Sequence, residues 1–270
     1  MQKGNLIGTG RTAEVFEWGE DRILKLYFNW DNAEFMYNRE MENTVEVNRL
    51  KLPAPYMYDA LELEGRKGMI FERLFGSSLL GSLRSKPMLA VHYAGKMAKL
   101  HLIIHESVSE KLTPVKDQLS YGIKAAAGFA PFDAQFLLNI LDSLPDMKNV
   151  CHGDFHPDNI MVTKKGLMII DWMNAAAGDP ASDVARTLLM IKTPYLPPNV
   201  SKFMAGVLKR LRKIFFSTYL KKYTSISGMT PDHINDWLLP VAAARLIEQV
   251  PGEKEWLVRI ITEQRNIYNI

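Results

Sequence analysis

The sequence predicts an α+β fold in two parts, a sheet-rich segment over residues 1–75 and a mainly helical remainder over 76–270. Three observations carry this. Short β-prone runs separated by turn signals fill the first segment. Helical apolar spacing dominates after it. A single short hairpin, 160–163 and 167–170 around Lys164-Lys165-Gly166, interrupts the helical part.

Each element follows from its local pattern. Residues 5–9, 14–18 and 22–28 are strand-prone and separated by turns, which gives an antiparallel meander. Residues 32–50 lack proline and glycine and stop before Pro53 and Pro55, as one helix would. Strands at 56–62 and 67–71 follow, and Gly76-Ser77-Ser78 breaks the pattern. Helices are expected at 88–105, 133–144, 181–191, 200–223 and 232–249.

Composition narrows the class. With 270 residues, 47% hydrophobic and 23% charged, the chain is an ordinary globular one able to bury a sizeable core. A net charge of +3 gives no reason by itself to expect nucleic acid or a membrane surface as the main partner. The one cysteine, Cys151, cannot form an internal disulfide, and the N-terminal residues lack a signal-peptide pattern. No run of eighteen apolar residues occurs, so a cytoplasmic protein without membrane insertion is expected.

The hairpin carries the chemistry. Asn159 precedes its first strand and Asp171 follows its second, so pairing brings two oxygen-bearing side chains together. Such a pair suits Mg²⁺, which takes few protein ligands beside phosphate oxygens and water. Asp154 lies five residues before Asn159, in a loop able to aim a carboxylate at an attacking hydroxyl. Phosphoryl transfer needs an orienting carboxylate and metal ligands of this kind.

At its N-terminal end, 7–16 fits a glycine-containing phosphate loop between strands, with Gly8 and Gly10 letting backbone approach phosphate. Ala13 stands where a third glycine falls in such loops. Alternation over 22–28 puts Leu24, Leu26 and Phe28 on one face and Lys25 on the other, toward a nucleotide. Glu40, Glu42 and Glu46 on the next helix are its candidate ion-pair partners.

These segments together resemble the aminoglycoside phosphotransferase and choline kinase family. His152 to Asn159 is similar to its HGDxHxxN loop, and Ile169-Ile170-Asp171-Trp172 to its metal-binding segment. Gly178-Asp179-Pro180 with Asp183-Val184-Ala185 is similar to its GDPxxDLA stretch, with Val184 replacing leucine. The resemblance implies a two-lobed protein-kinase-like fold, ATP and Mg as cofactors, and Asp154 as catalytic base. It implies Asn159 and Asp171 as metal ligands and Asp183 as a brace of the catalytic loop. The family's spacing favours Glu40 as the partner of Lys25. Met69 to Gly76 resembles its hinge, where backbone groups of Glu72 and Leu74 meet adenine. The resemblance spans 8–185 and stops short of the C-terminal part, where this family builds its acceptor site.

Simpler readings stand beside these. His152 and His156 lack a third zinc ligand of suitable geometry and are read as structural. His101 and His105, spaced i,i+4, are read as satisfied core histidines, and Cys151 as a small buried residue. Residues 186–223 hold nine Lys or Arg and no acid, most simply a solvated helix face, the alternative being a site for an anionic acceptor or a polyanion. The expected activity is ATP-dependent transfer of the γ-phosphate to a hydroxyl of a small molecule, with no nucleic acid as partner. A protein kinase is disfavoured because ten positions from Asp171 to Ala181 leave little room for an activation segment. A catalytically silent nucleotide-binding module is disfavoured because every polar position needed for turnover is present. Among acceptors, polycationic amines are expected to fare poorly.

Overall fold

Strand-prone runs and tight turns near the N-terminus assemble into a single antiparallel sheet. The structure, a computed structural model, describes residues 2–195 and 201–263. Its first elements are β1 (Leu6–Thr9), β2 (Ala13–Glu17), β3 (Arg22–Tyr27), α1 (Ala33–Arg49), β4 (Met57–Leu63), β5 (Arg66–Glu72) and β6 (Gly76–Ser78). Next come α2 (Leu79–Ser85), α3 (Ala90–His105), α4 (Val115–Ala126), α5 (Ala134–Ser143), β7 (Asn149–Cys151), β8 (Ile160–Thr163), β9 (Gly166–Ile169) and β10 (Ala176–Gly178). The helices α6 (Pro180–Lys192), α7 (Lys202–Ser227), α8 (Pro231–Asp236), α9 (Leu238–Arg245) and α10 (Lys254–Glu263) follow. The architecture is α+β, and the chain divides into two compact units.

The first unit comprises the chain up to Gly81 together with Asp158–Asn174. Its five-stranded sheet has the order β1-β2-β3-β5-β4. Both faces of β3 are covered, as alternation along a strand requires. Leu24 and Leu26 join Trp18 and Ile70 on one side, while Tyr27 joins Ala13, Met69, Phe71 and Tyr37 of α1 on the other. The Tyr27 and Tyr37 rings meet edge to face at 5.4 Å, which fixes α1 over the face that carries Lys25.

The β8–β9 hairpin groups with this sheet unit rather than with the helical remainder. Gly76–Ser78, read from the sequence as a break, is a third strand that pairs antiparallel with β8. Ile169 N–H donates to Pro53 O at 2.7 Å, and Asn43 Nδ2 donates to the carbonyls of Trp172 and Met173 at 3.0 Å each. These bonds tie the hairpin to α1 and the loop after it, so the structural division falls at Gly81 and again on either side of Asp158–Asn174.

The second unit comprises Ser82–Pro157 and the described residues from Ala175 onward. α3 packs along α7, and α4 along α9. The sequence pattern misses α4, which contains Gly122, a residue of poor helix propensity. A Cβ there would meet Ala244 Cβ at 2.9 Å, so glycine permits the close approach of α4 to α9. The single helix expected over 232–249 is divided. Thr230 caps α8, α9 starts anew at Leu238 with Pro240 in its first turn, and Gln249 turns into the left-handed region at φ 48°. Of the helix expected over 200–223, Val200 lies outside the described residues. Among the described residues no helix is long and apolar enough to cross a membrane.

Candidate active site

The residues singled out from the sequence fall into two groups of side chains, one in each unit. In the first, Lys25 Nζ lies 2.6 Å from Glu40 Oε1 and 3.3 Å from Asp171 Oδ1. Glu40 is buried, and its other oxygen accepts a 2.5 Å hydrogen bond from Tyr27 Oη. Of the other two candidates, Glu42 is exposed and Glu46 is bound by Arg49, so the structure selects Glu40. Burial works against the Lys25 ammonium, but Glu40 and Asp171 outweigh it and raise its pKa above the ordinary value. Burial pushes the Tyr27 phenol up, with Glu40 adding to the effect. Lys25 is therefore a fixed cation on a rigid strand.

The hairpin delivers Asn159 and Asp171 to one place. Ile160 pairs with Ile169, and one residue further Ile170 N–H donates to Asn159 O at 2.9 Å. Asn159 is buried, whereas the Asp171 side chain keeps 41% of its surface exposed. Asp171 has φ 64°, a left-handed conformation that aspartate tolerates better than most residues but still at some cost. Asp171 thus offers an exposed carboxylate of the kind a hard divalent cation binds, one residue beyond the backbone bond between Ile170 and Asn159.

The glycines of the β1–β2 turn need their own explanation. Gly10 N–H donates to Ala13 O at 2.8 Å, closing the turn. Gly8 and Gly10 are not among the positive-φ glycines, and a Cβ at either would find its nearest neighbour at 3.6 Å, ordinary contact. The fold itself does not require glycine at these two positions. At the end of β5, Glu72 N–H is already engaged by Tyr56 O at 2.8 Å and its carboxylate by Lys165. Leu74 N–H has no partner among the described residues.

In the second unit, Gly153 takes φ 73°, which explains glycine between His152 and Asp154. Asp154 N–H donates to His152 Nδ1 at 3.2 Å, His156 Nε2 lies 3.4 Å from Asp154 Oδ2, and an Arg186 terminal nitrogen lies 3.8 Å from Oδ1. Burial works to raise the Asp154 pKa, but His156 and Arg186 overcome it and hold the carboxyl well below its ordinary range. Asp154 is thus ionised and partly exposed, the state an acceptor of a proton needs.

Asp183 holds the loop from behind. Its Oδ2 accepts from His152 N–H at 2.5 Å and its Oδ1 from Gly153 N–H at 3.0 Å. It sits in the first turn of α6, which Asp179 caps by accepting from Ala181 N–H at 2.9 Å, with Pro180 preset for the first helical position. His101 and His105 reach Asp183 Oδ2 through Nε2 at 3.1 and 3.3 Å, and their Nδ1 atoms meet the hydroxyls of Tyr219 and Tyr223 at 2.5 and 2.6 Å. Burial lowers the His101 pKa to about 3, so that ring is neutral near pH 7. Every ring nitrogen of the pair has a protein partner, and the two behave as satisfied core histidines.

Some neighbours of these groups escape sequence reasoning. Tyr27 shares a strand face with Lys25, a signal that period two does offer. Arg186 directly follows the GDPxxDVA stretch; its Nε donates to Gly153 O, and its terminal nitrogen meets Glu248 Oε1 at 2.5 Å. Glu248 also accepts from Arg245 at 3.0 Å, and Arg245 binds Glu253 at 2.9 Å. No local pattern announces that chain of charges.

Comparison with known proteins bears on the family and the fold. The model of the phosphotransferase enzyme family matches residues 6–214. An aminoglycoside-3'-phosphotransferase of type VIII superposes with a TM-score of 0.60 at 17% identity, covering 89% of this chain and 91% of that one. An amicoumacin kinase solved with AMP-PNP and Ca²⁺ gives 0.61 at 13% identity, covering 98% and 90%. An aminoglycoside phosphotransferase from Streptomyces rimosus, in complex with ADP and streptomycin, gives 0.58 at 18%, covering 86% and 90%. At these identities the likeness is one of fold. No curated protein matches the sequence significantly.

Proposed function

The chain belongs to the phosphotransferase enzyme family, and we propose that it transfers the γ-phosphate of ATP to a hydroxyl of a small molecule. The observation that carries this reading is the Lys25 ammonium, held between Glu40 and Asp171 at 2.6 and 3.3 Å beside the Asn159 end of the hairpin. A fixed cation, an exposed carboxylate and an amide oxygen on rigid strands are the parts that bind a magnesium–nucleotide complex.

In this reading the backbone at Gly8 and Gly10 accommodates the phosphates, which accounts for glycines that the fold does not require. Lys25 binds phosphate oxygens, and the open N–H of Leu74 together with Glu72 O receives the adenine edge. Asn159 and Asp171 hold Mg²⁺, which when bound offsets phosphate charge. Asp154 accepts the proton of the acceptor hydroxyl, and Arg186 and His156 keep it ionised for that task. The acceptor is a neutral or anionic hydroxylated molecule, since Glu248, which meets Asp154's neighbour Arg186 at 2.5 Å, is already ion-paired and not open to a polycation. Structural relatives solved with AMP-PNP or ADP support the choice of an adenine nucleotide.

The test is ADP release by purified protein with ATP and Mg²⁺ across a panel of sugars, amino alcohols, hydroxy acids and aminoglycosides. Acceptor-dependent release, abolished by Asp154→Asn, is expected. Nucleotide binding with no acceptor-dependent release anywhere in the panel would favour a silent module instead.

A further inference from the structure

The first half of α7 takes no part in either residue group of the candidate active site, and it is built unlike the second half. From Phe215 onward the helix is core, with Phe215, Phe216, Tyr219 and Tyr223 buried. Before that point it stands in solvent, with Phe203 81%, Met204 46%, Val207 37% and Ile214 39% exposed. The segment is a well-formed helix nonetheless. Ser201 Oγ accepts from Met204 N–H at 3.2 Å as its cap, and Arg212 anchors the inner side by donating to Thr193 O and Tyr195 O at 2.7 and 2.9 Å.

At 3.6 residues per turn, Phe203, Met204, Val207, Leu211 and Ile214 fall on one face. Lys202, Lys209 and Lys213 fall on the other, and Arg210, seven residues after Phe203, borders the apolar one. None of these four cations has a carboxylate partner among the described residues, and 186–223 contains no acid to supply one. An exposed apolar stripe bordered by unpaired cations is costly to leave in water and suits a partner with an apolar layer beneath an anionic one.

We propose that the first half of α7 lies flat on the surface of bilayers containing anionic phospholipid, its apolar face in the acyl boundary and its cations among the headgroups. This is attachment at the surface and does not require a spanning helix. The charge pattern selects this occupant. A nucleic acid would use the cations and leave Phe203, Val207 and Ile214 in water. A second copy of the same helix would bring like charge against like charge. The cations spread over about 17 Å of helix, which suits a headgroup plane charged throughout better than a few discrete carboxylates on a protein.

The experiment is flotation of the full chain with unilamellar vesicles, of phosphatidylcholine alone or mixed with an equal amount of phosphatidylglycerol, and it needs no phosphoryl transfer. Binding to the anionic vesicles should exceed binding to the neutral ones by at least about tenfold and weaken with salt. The exposed-site variants Phe203→Glu with Val207→Glu, and Lys209→Glu with Arg210→Glu, should each lose it while keeping the wild-type circular dichroism and melting temperature. Failure of the wild type to float, or equal flotation with both vesicles, would overturn the proposal. So would undiminished binding by the Phe203/Val207 variant, which would assign the face to polyanions. A concentration-dependent dimer lost with Phe203→Glu would assign it to a second copy.

Discussion

Lys25 Nζ and Asp171 Oδ1 lie 3.3 Å apart although 146 residues separate them in the chain. Glu40 holds the ammonium from the other side at 2.6 Å, so Lys25 is oriented before any nucleotide arrives. In the proposed function, replacing it removes a preorganised electrostatic contact to phosphate.

Lys25→Ala should therefore lower kcat/KM by on the order of 10²-fold, with Glu40→Gln giving a smaller loss of the same kind. Steady-state kinetics of both single variants and the double variant check this. If the pair acts as a unit, the double variant is no worse than Lys25→Ala. Fully additive losses would show that Glu40 acts by some route other than Lys25.

What the sequence made legible is what local pattern encodes. Alternation over 22–28 placed Lys25 opposite Leu24 and Leu26, and the 160–170 hairpin appeared with strands within a residue of those found. The loop from His152 to Asn159 was legible as a motif, because Gly153 and the Asp183 carboxylate are parts of one local device. The Arg186–Glu248–Arg245–Glu253 chain was not. It joins α6 to the turn after α9, and charge spacing carries no record of such a meeting. α4 was missed for the related reason that Gly122 serves tertiary packing at the expense of helix propensity.

Asp171→Ala removes a carboxylate and also relieves none of the backbone constraint, since alanine is less at ease than aspartate at φ 64°. Stabilisation by Mg·ATP in thermal-shift titrations should be largely lost. Asp171→Asn tolerates the conformation equally well and separates charge from strain. An asparagine variant stabilised by Mg·ATP as strongly as wild type would remove Asp171 from metal binding.

His101 gives stability a pH dependence whose sign is fixed. Its folded pKa of about 3 lies below the unfolded value of 6.5, so the unfolded chain binds the extra proton across that interval. Stability is then full above pH 6.5 and falls as pH drops toward 3, by up to about 1.4 kcal/mol per pH unit from this group. His101→Asn should flatten that slope by one proton, measured by denaturant unfolding at several pH values. An unchanged slope would mean that other groups carry the acid sensitivity.

Asp154 is held ionised by its neighbours, and His156 is the strongest of those that lower its pKa. His156→Ala should raise the Asp154 pKa and shift the acid limb of the pH–rate profile toward neutrality while leaving the plateau rate nearly intact. Asp154→Asn should instead lower the plateau by roughly 10²- to 10⁴-fold with little effect on nucleotide binding. A plateau near that of wild type in the asparagine variant would displace Asp154 as base.

Acceptor charge follows from which carboxylates remain uncommitted near that base. A molecule carrying several ammonium groups needs a cluster of free acids where it binds. Of the six acids C-terminal to Tyr223, Glu248 is shared by Arg186 and Arg245, and Glu253 is buried against Arg245. Asp179 is likewise taken, accepting from His233 at 2.6 Å and Trp237 at 3.2 Å. Glu248, the acid joined to Asp154 through Arg186, is therefore already neutralised by guanidinium groups, and an incoming polycation would have to break an existing ion pair to use it. Kanamycin-like amines should accordingly show kcat/KM values at least tenfold below the best neutral or anionic hydroxyl compound in a side-by-side assay, about 1.4 kcal/mol of discrimination. Glu248→Gln tests the same point from the protein side, since it frees Arg186 to act as a cation beside Asp154 and should favour anionic acceptors further. Saturable phosphorylation of the polycationic amines at low concentration, undisturbed by Glu248→Gln, would show that another set of acids builds the acceptor site.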